Sequence, residues 1–256
     1  MGSALGPILE VQNLVKHYGG VHAVDGVSFS VERGTVTGLI GPNGAGKSTA
    51  LNVIGGFLAP DSGRVLLDGE DVAGHPMHQL ARRGLVRTFQ LARVFGGLTT
   101  IENLLVAAPV QRGESTLGIL GGKRVWGKQE QQVLETARKM LGAFGMQDKA
   151  DEYARNLSGG QKRAVETMRA LMTKPKLLLL DEPMAGLSPS LSSQLEDLFL
   201  KLTHDGLSLL LVEHSLDTVD RICSNVIVMA QGKVLGEGRM TELRTRKDVQ
   251  DAYVIG

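Results

Sequence analysis

"TVTGLIGPNGAGKST", residues 35–49, decides how the rest of this chain reads. A short apolar run enters a loop of the form G-x-x-x-x-G-K-[ST], and "KSTALNVIGGFL" continues from it as a helix. Gly41, Gly44 and Gly46 let the backbone wrap close to phosphate oxygens. The amides of such a loop form an anion nest at a helix N-terminus. Lys47 supplies a point charge for outer phosphates, and the Ser48 hydroxyl can ligate Mg²⁺. A chance Gly turn carrying Lys-Ser has no need of a strand before it and a helix after it, and both are present. The loop reads as a nucleotide phosphate cradle.

Two further stretches carry chemistry. "KLLLLDEP" is an apolar strand that ends in Asp181 and Glu182. Alone, the pair reads equally well as a solvated acidic strand end. Beside a phosphate cradle, Asp181 at a parallel strand's C-terminal end can reach the metal shell. Glu182 can then polarise an attacking water, help worth about 10²–10⁴ in rate. The other stretch is "NLSGGQKRA", residues 156–164. Ser158 is a good helix N-cap, and Gln161 stands three residues on, as in a capping box. Its open glycine amides suit an anion, yet it lacks the G-K-[ST] lysine of the first loop and any metal-ligand context. It makes a poor phosphate site by itself.

The 256 residues suffice for one large α/β domain, or a domain with a subdomain. Net charge is +1, so no global field favours nucleic acid or an anionic membrane; 4% aromatics argue against base-stacking surfaces. Cys223 is the only cysteine, which excludes an intrachain disulfide and suits a reducing compartment. "MGSALGPILE" lacks the basic start and long apolar core of a signal peptide, and Gly6 breaks the myristoylation pattern. Runs such as "LLLL" at 177–180 are too short to span a bilayer. Work at a membrane would require other chains as anchors. The 33 glycines are spread along the chain, as expected of many tight turns.

"ILEVQNLVKHY" and "HAVDGVSFSVERG" read as strands of an antiparallel section, and "GRVLLDGEDV" and "GLVRTFQ" as further strands. From about 91 to 158 the strand pattern fades. "TTIENLLVAA" opens with a capping box at Thr99 and Glu102, and "GKQEQQVLETARKMLGAFG" is amphipathic and ends at glycine. Residues 111–127 between them read as a Gly-rich loop. Buried strands then alternate with helices: "KLLLLDE", "SLSSQLEDLFLKL", "SLLLVEH", "SLDTVDRI", "NVIVMA", "GKVLGEG", and short helices closing the chain. That alternation predicts a mainly parallel sheet. The expected organisation is a single domain over 1–256. Its nucleotide-binding core takes in about 1–90 and 159–230, a helical subdomain about 91–158, and a C-terminal strand and helices about 231–256.

Taken together, these motifs resemble the nucleotide-binding subunits of ABC transporters over nearly the whole chain. "GPNGAGKST" looks like Walker A, "LLLLDE" like Walker B, "LSGGQ" like the ABC signature, "RTFQ" like the Q-loop, and "VEHS" carries the switch-histidine position, His214. "RTFQLARVFGGLTTIENLLVA" and the ending "DVQDAYVIG" are similar to the branched-chain amino-acid uptake subgroup; urea and amide uptake ATPases share them. The implied fold is α/β: a P-loop NTPase ABC ATPase core with a mainly parallel sheet, an antiparallel β section and an inserted helical subdomain.

The resemblance also implies roles. Gly41, Pro42, Asn43, Gly44, Ala45, Gly46, Lys47, Ser48 and Thr49 hold ATP phosphates, and Tyr18 stacks on adenine. Ser48, Gln90 and Asp181 surround Mg²⁺ directly or through water. Glu182 deprotonates the hydrolytic water, and His214 contacts the γ-phosphate. Ser158, Gly159, Gly160 and Gln161 are offered to an ATP held by a partner chain. In one place the chain departs from the family: "AGLS" puts Ser188 where the D-loop often has Asp. Without the resemblance, Gln90 is an ordinary strand-end amide, His214 a surface histidine and Tyr18 a turn residue.

The implied protein is peripheral at the cytoplasmic face of the cell membrane. It pairs with a second ABC ATPase subunit, identical or not, under two transmembrane permease subunits fed by an extracytoplasmic solute-binding protein. No nucleic-acid partner is expected. A lipid or lipopolysaccharide exporter ATPase is the competing transport reading. A soluble ABC protein would usually carry two cassettes or a long coiled coil, and this chain has neither. His75 and His78, flanked by Gly74 and Pro76 without clustered Cys or carboxylates, make a poor zinc site.

Overall fold

The computed structural model describes residues 6–88, 93–108 and 123–255, with 123–129 and 254–255 described by backbone alone. The elements run β1 (Leu9–Tyr18), β2 (Val21–Val31), β3 (Val36–Ile40), α1 (Lys47–Ile54), β4 (Ser62–Leu67), β5 (Glu70–Asp71), α2 (Met77–Arg83) and β6 (Leu85–Arg87). Then come α3 (Thr100–Val106), α4 (Lys123–Ala143), α5 (Gly159–Met172), β7 (Leu177–Asp181) and α6 (Pro189–His204). The chain closes with β8 (Ser208–Val212), α7 (Leu216–Ile222), β9 (Asn225–Ala230), β10 (Lys233–Gly238), α8 (Met240–Leu243) and α9 (Lys247–Ile255).

Two compact units emerge. The first comprises 1–87, 175–182 and 199–256, and it holds both sheets. A four-stranded antiparallel sheet has the order β2-β1-β4-β5, and a six-stranded sheet the order β10-β9-β3-β8-β7-β6. In the larger sheet β9, β3, β8, β7 and β6 are parallel; β10 runs antiparallel to β9 at the edge. The sequence predicts both the parallel sheet and the antiparallel section, and the strands lie where their apolar runs place them.

The central strands are buried on both faces, so they read as continuous apolar runs and do not alternate. Leu177 to Leu180 are fully buried. On one face Leu39, Leu179, Leu210 and Ile227 join a core with α1 residues Leu51 and Ile54 and with Val11, Leu14 and Val27 of the antiparallel sheet. On the other, Ile40, Val226 and Val228 pack with Val219, Met240, Leu243 and Val249. Truncating one of these leucines to alanine costs about 2–5 kcal/mol.

The second unit comprises 88–174 and 183–198. Here α3 packs on α4 and α5. The predicted capping box of α3 is present: the Thr99 hydroxyl accepts from the Glu102 amide, and the Glu102 carboxylate accepts from the Thr99 amide. Asn103 is fully buried. Its amide donates to the Phe95 and Thr99 carbonyls and its oxygen accepts from the Phe95 amide, which fastens the turn before the helix.

Two helices differ from the sequence expectation. α2 is absent from it, because "MHQLARR" places only Leu80 in the core. Its ends carry the signal instead: Pro76 precedes the first turn, and Gly84 closes the helix at φ 95°. His78 therefore sits in a helix and not in a loop. α4 begins at Lys123, so the expected loop at 111–127 is helix over its last five residues. The remainder of that loop, 111–122, lies outside the described residues.

Candidate functional site

β3 delivers the glycine loop. Its parallel register pairs Leu39 with Val212, and β7 pairs Asp181 with Val212, so three strands end at one level. The C-terminal edge of a parallel sheet is where α/β folds place ligands. Here that edge carries Gly41–Lys47, the Asp181–Glu182 pair and His214.

Two glycines of the loop are required by backbone geometry. Gly41 has φ 148° and Gly46 has φ 99°. A Cβ at Gly41 would stand 2.0 Å from the Met229 carbonyl oxygen, and one at Gly46 2.1 Å from that of Ala23. Gly46 is also the N-cap of α1; it offers no side-chain cap, and the first turn holds no acidic residue. The free amides therefore remain available to an anion. Ala45 is buried, whereas Asn43, Gly44 and Ser48 are exposed. Lys47 folds back over the loop, donating to the carbonyls of Gly41 (2.7 Å) and Pro42 (2.9 Å). Burial pushes its ammonium below the usual lysine range, opposed by the nearby charges of Glu182 and Asp181. A cavity of about 560 Å³ opens beside the loop, lined by Pro42–Ala45, Lys233 and the α9 residues Asp248 and Asp251.

Asp181 ends β7 with its side chain only 2% exposed. Its Oδ2 lies 3.1 Å from the Arg87 guanidinium, while its buried Oδ1 has no hydrogen-bond partner. Burial pushes this carboxyl above the usual aspartate range, and Arg87 opposes that push. Glu182 leaves the strand at φ 52°. Its amide donates to the Val212 carbonyl, fastening this unusual backbone to β8. Its carboxylate oxygen Oε1 is 2.9 Å from Nε2 of His214. The two residues expected to act on water thus meet, because both follow strands in matched register.

Tyr18 ends β1, half-exposed, with the Lys16 ammonium 5.9 Å from its ring centre. Gln90 lies outside the described residues. Ser158–Gln161 belongs to the second unit and opens α5. The capping box is reciprocal: the Ser158 hydroxyl accepts from the Gln161 amide at 3.2 Å, and the Gln161 side chain accepts from the Ser158 amide at 2.9 Å. Ser158 and Gly159 are exposed; Gly160 is buried, and a Cβ there would stand 2.4 Å from the Gly186 carbonyl oxygen.

Two residues at the site, Arg87 and Tyr253, carry no role in the sequence reading, and Ser188 has a local one beyond its D-loop position. Arg87 opens "RTFQ", and a cation ending an apolar strand signals a buried partner. Ser188 is the N-cap of α6: its hydroxyl accepts from the Leu191 amide, and Pro189 takes the first helical position. Its place is explained locally by the S-P pair. Tyr253 reaches the loop from α9. Burial pushes its hydroxyl up to about 12, opposed by a hydrogen bond with the Gly41 backbone.

Known proteins resemble this chain over most of its length. The ABC transporter family profile matches residues 24–185. The probable branched-chain amino acid transport ATP-binding protein LivG of Methanocaldococcus jannaschii is 42% identical over 92% of this chain and 91% of its own length. The high-affinity branched-chain amino acid transport ATP-binding protein BraF of Pseudomonas aeruginosa is 40% identical over 97% of this chain and 98% of its own. A crystal structure of a nucleotide-free ATP-binding cassette from an ABC transporter superposes with a TM-score of 0.82 at 38% identity, covering 96% of this chain and 98% of that one. A single sheet edge carries the loop, the acid pair and the histidine, in a chain that matches these proteins over more than nine-tenths of its length: it belongs to the ABC transporter family.

Proposed function

We propose that this chain is the ATP-binding and hydrolysing subunit of an importer for branched-chain or related amino acids. The observation that carries the chemistry is the Glu182–His214 contact of 2.9 Å at the edge that also bears Lys47 and Asp181. Glu182 takes the proton of the attacking water. His214 holds the carboxylate in place and reaches toward the γ-phosphate. Lys47 exchanges the Gly41 and Pro42 carbonyls for phosphate oxygens as ATP enters, which keeps its buried charge compensated. Tyr18 offers an exposed ring to the base.

Bound Mg²⁺ supplies charge neutralisation at the β- and γ-phosphates. The residues fit it: the orphaned Oδ1 of Asp181 is a buried anionic oxygen without a donor, and Ser48 is an exposed hydroxyl in the first turn of α1. Gln90 completes the proposed shell. Ser158, Gly159 and Gly160 serve a nucleotide held by a second ATPase subunit, because their helix start leaves the Gly159 and Gly160 amides without intrahelical partners and lacks the G-K-[ST] lysine of the phosphate loop. Among the described residues no helix is long and apolar enough to cross a membrane. Two permeases therefore anchor the ATPase pair at the cytoplasmic face, and a solute-binding protein delivers substrate from outside.

The test is reconstitution of the chain with its co-purifying permeases in proteoliposomes. ATP hydrolysis should rise when a branched-chain amino acid and its binding protein are supplied. Stimulation by urea or amides alone would move the assignment to another solute. Absence of any ATP hydrolysis would overturn the motor reading.

A further inference from the structure

The hairpin that carries Tyr18 holds a second cluster of chemistry-bearing side chains. β1 and β2 are joined by Gly19 and Gly20, with Gly19 at φ 59°. His17 and His22 face each other directly across the two strands, their ring centres 3.9 Å apart. Asp25 stands three residues beyond His22, and in a regular strand it would point to the opposite face. The register prevents this. Lys16 pairs with Val24 and His17 with His22, so Ala23 is an extra residue on β2. That bulge resets the alternation and returns Asp25, which faces Val15, to the side of the two histidines.

The result is a compact donor set. Asp25 Oδ1 lies 3.8 Å from His17 Nε2 and 4.0 Å from His22 Nδ1, and one donor atom from each of the three residues lies within 4.8 Å of the others. Asp25 Oδ2 is 3.3 Å from the Lys233 ammonium, which leaves Oδ1 to the histidine side. His17 Nε2 is buried and has no hydrogen-bond partner. Two imidazoles and one carboxylate oxygen match Zn²⁺ and similar ions, whereas Mg²⁺ and Ca²⁺ want oxygen throughout. Ligand atoms about 2.0–2.1 Å from a tetrahedral ion are about 3.3 Å apart. Closing the cluster to that spacing shortens the donor separations by about 0.5–1.5 Å, within reach of rotamer adjustment. His22 is 58% exposed, so a fourth position opens to water.

We propose that His17, His22 and Asp25 form a binding site for one divalent transition-metal ion, with Zn²⁺ as its probe. The bound ion ties β1 to β2 next to Tyr18. It also bears on the phosphate loop through Ala23, whose carbonyl fills the space a Cβ on Gly46 would need. The site uses no residue of the ATP chemistry, so it stands or falls independently of the transport assignment.

The experiment is isothermal titration of zinc chloride into the chelator-treated, nucleotide-free full-length chain, beside His22→Ala and Asp25→Asn. His75, His78, His204 and His214 are unaltered in all three proteins, so zinc bound elsewhere persists in each. Wild type should show a saturable site that weakens at least about tenfold in both variants, consistent with loss of one of three ligands. Zinc should raise the melting temperature of wild type and not of His22→Ala. An isotherm unchanged by His22→Ala overturns the proposal, and so does no saturable binding by wild type up to about 1 mM zinc. His22 is exposed, so its removal leaves the fold intact; circular dichroism checks this.

Discussion

Replacing Arg87 with methionine tests whether the buried charge beside the acid pair is held by that guanidinium. Arg87 ends β6, donating to Asp181 Oδ2 at 3.1 Å and to the Asn52 side-chain oxygen. The two ionic side chains are 5% and 2% exposed, so the pair is shielded from water. Removing one partner of such a pair leaves a bare buried charge and costs about 3–5 kcal/mol. Lys47 also attracts Asp181, which places Arg87→Met near the lower end, about 3 kcal/mol. The corresponding fall in melting temperature is about 6–12 °C. Urea unfolding of the nucleotide-free chain, followed by far-UV circular dichroism, measures the cost directly.

The same experiment has two internal controls. Arg87→Met combined with Asp181→Asn removes both charges and should recover most of the loss. The pH dependence has a defined sign. Burial raises the Asp181 carboxyl, and losing Arg87 raises it further, so the folded variant binds this proton more tightly than the unfolded chain. The penalty is full above the variant's folded pKa and is relieved as pH falls through it. The gap between wild type and Arg87→Met should therefore narrow as the pH falls. A cost below about 1 kcal/mol, or a gap that widens toward acid, would refute the reasoning.

Further outcomes are expected at the site and beyond it. Glu182→Gln should keep ATP affinity while turnover falls by about 10²–10⁴; near wild-type hydrolysis would remove Glu182 as the base. Ser158→Ala should cost about 1 kcal/mol of stability through the lost cap. Ser158→Arg should in addition abolish turnover of the assembled complex while the isolated chain still binds ATP. Equal turnover of the Ala and Arg assemblies would sink the role in trans. Burial, with Glu213 nearby, pushes the Cys223 thiol up to about 12. Iodoacetamide should therefore label it at neutral pH far more slowly in the folded chain than in urea; equal rates would show that the thiol is not buried.

Legibility followed the range of the interactions. The phosphate loop declares itself locally, since its glycines answer to backbone geometry within a few residues. The buried parallel strands are equally plain, because burial on both faces leaves unbroken leucine and valine runs. The Glu182–His214 contact is different: it needs β7 and β8 to be parallel with Asp181 opposite Val212, a register that no local pattern states. The Arg87–Asp181 pair depends in the same way on the β6–β7 pairing. α2 stayed hidden because a short helix burying one leucine has no periodicity to detect. The start of α4 was hidden by Gly127, which costs a helix about 1 kcal/mol and reads as a break. The histidine–aspartate cluster requires the bulge at Ala23, and alternation alone would have put Asp25 on the wrong face.

The strand order also governs when this protein can come into being during synthesis. β3, which launches the phosphate loop, is complete at residue 40, yet its two neighbours are β8 at 208–212 and β9 at 225–230. At ribosomal rates those partners emerge roughly 10–40 s after β3 itself. Until then the strand has neither edge paired, and the carbonyl of Met229 against which Gly41 is seated has not been made. A nascent chain stalled before residue 225 therefore has the whole glycine loop in sequence and no fixed cradle in space. Nucleotide cannot act as an early folding aid for this chain; its capture waits until β8 and β9 have been made.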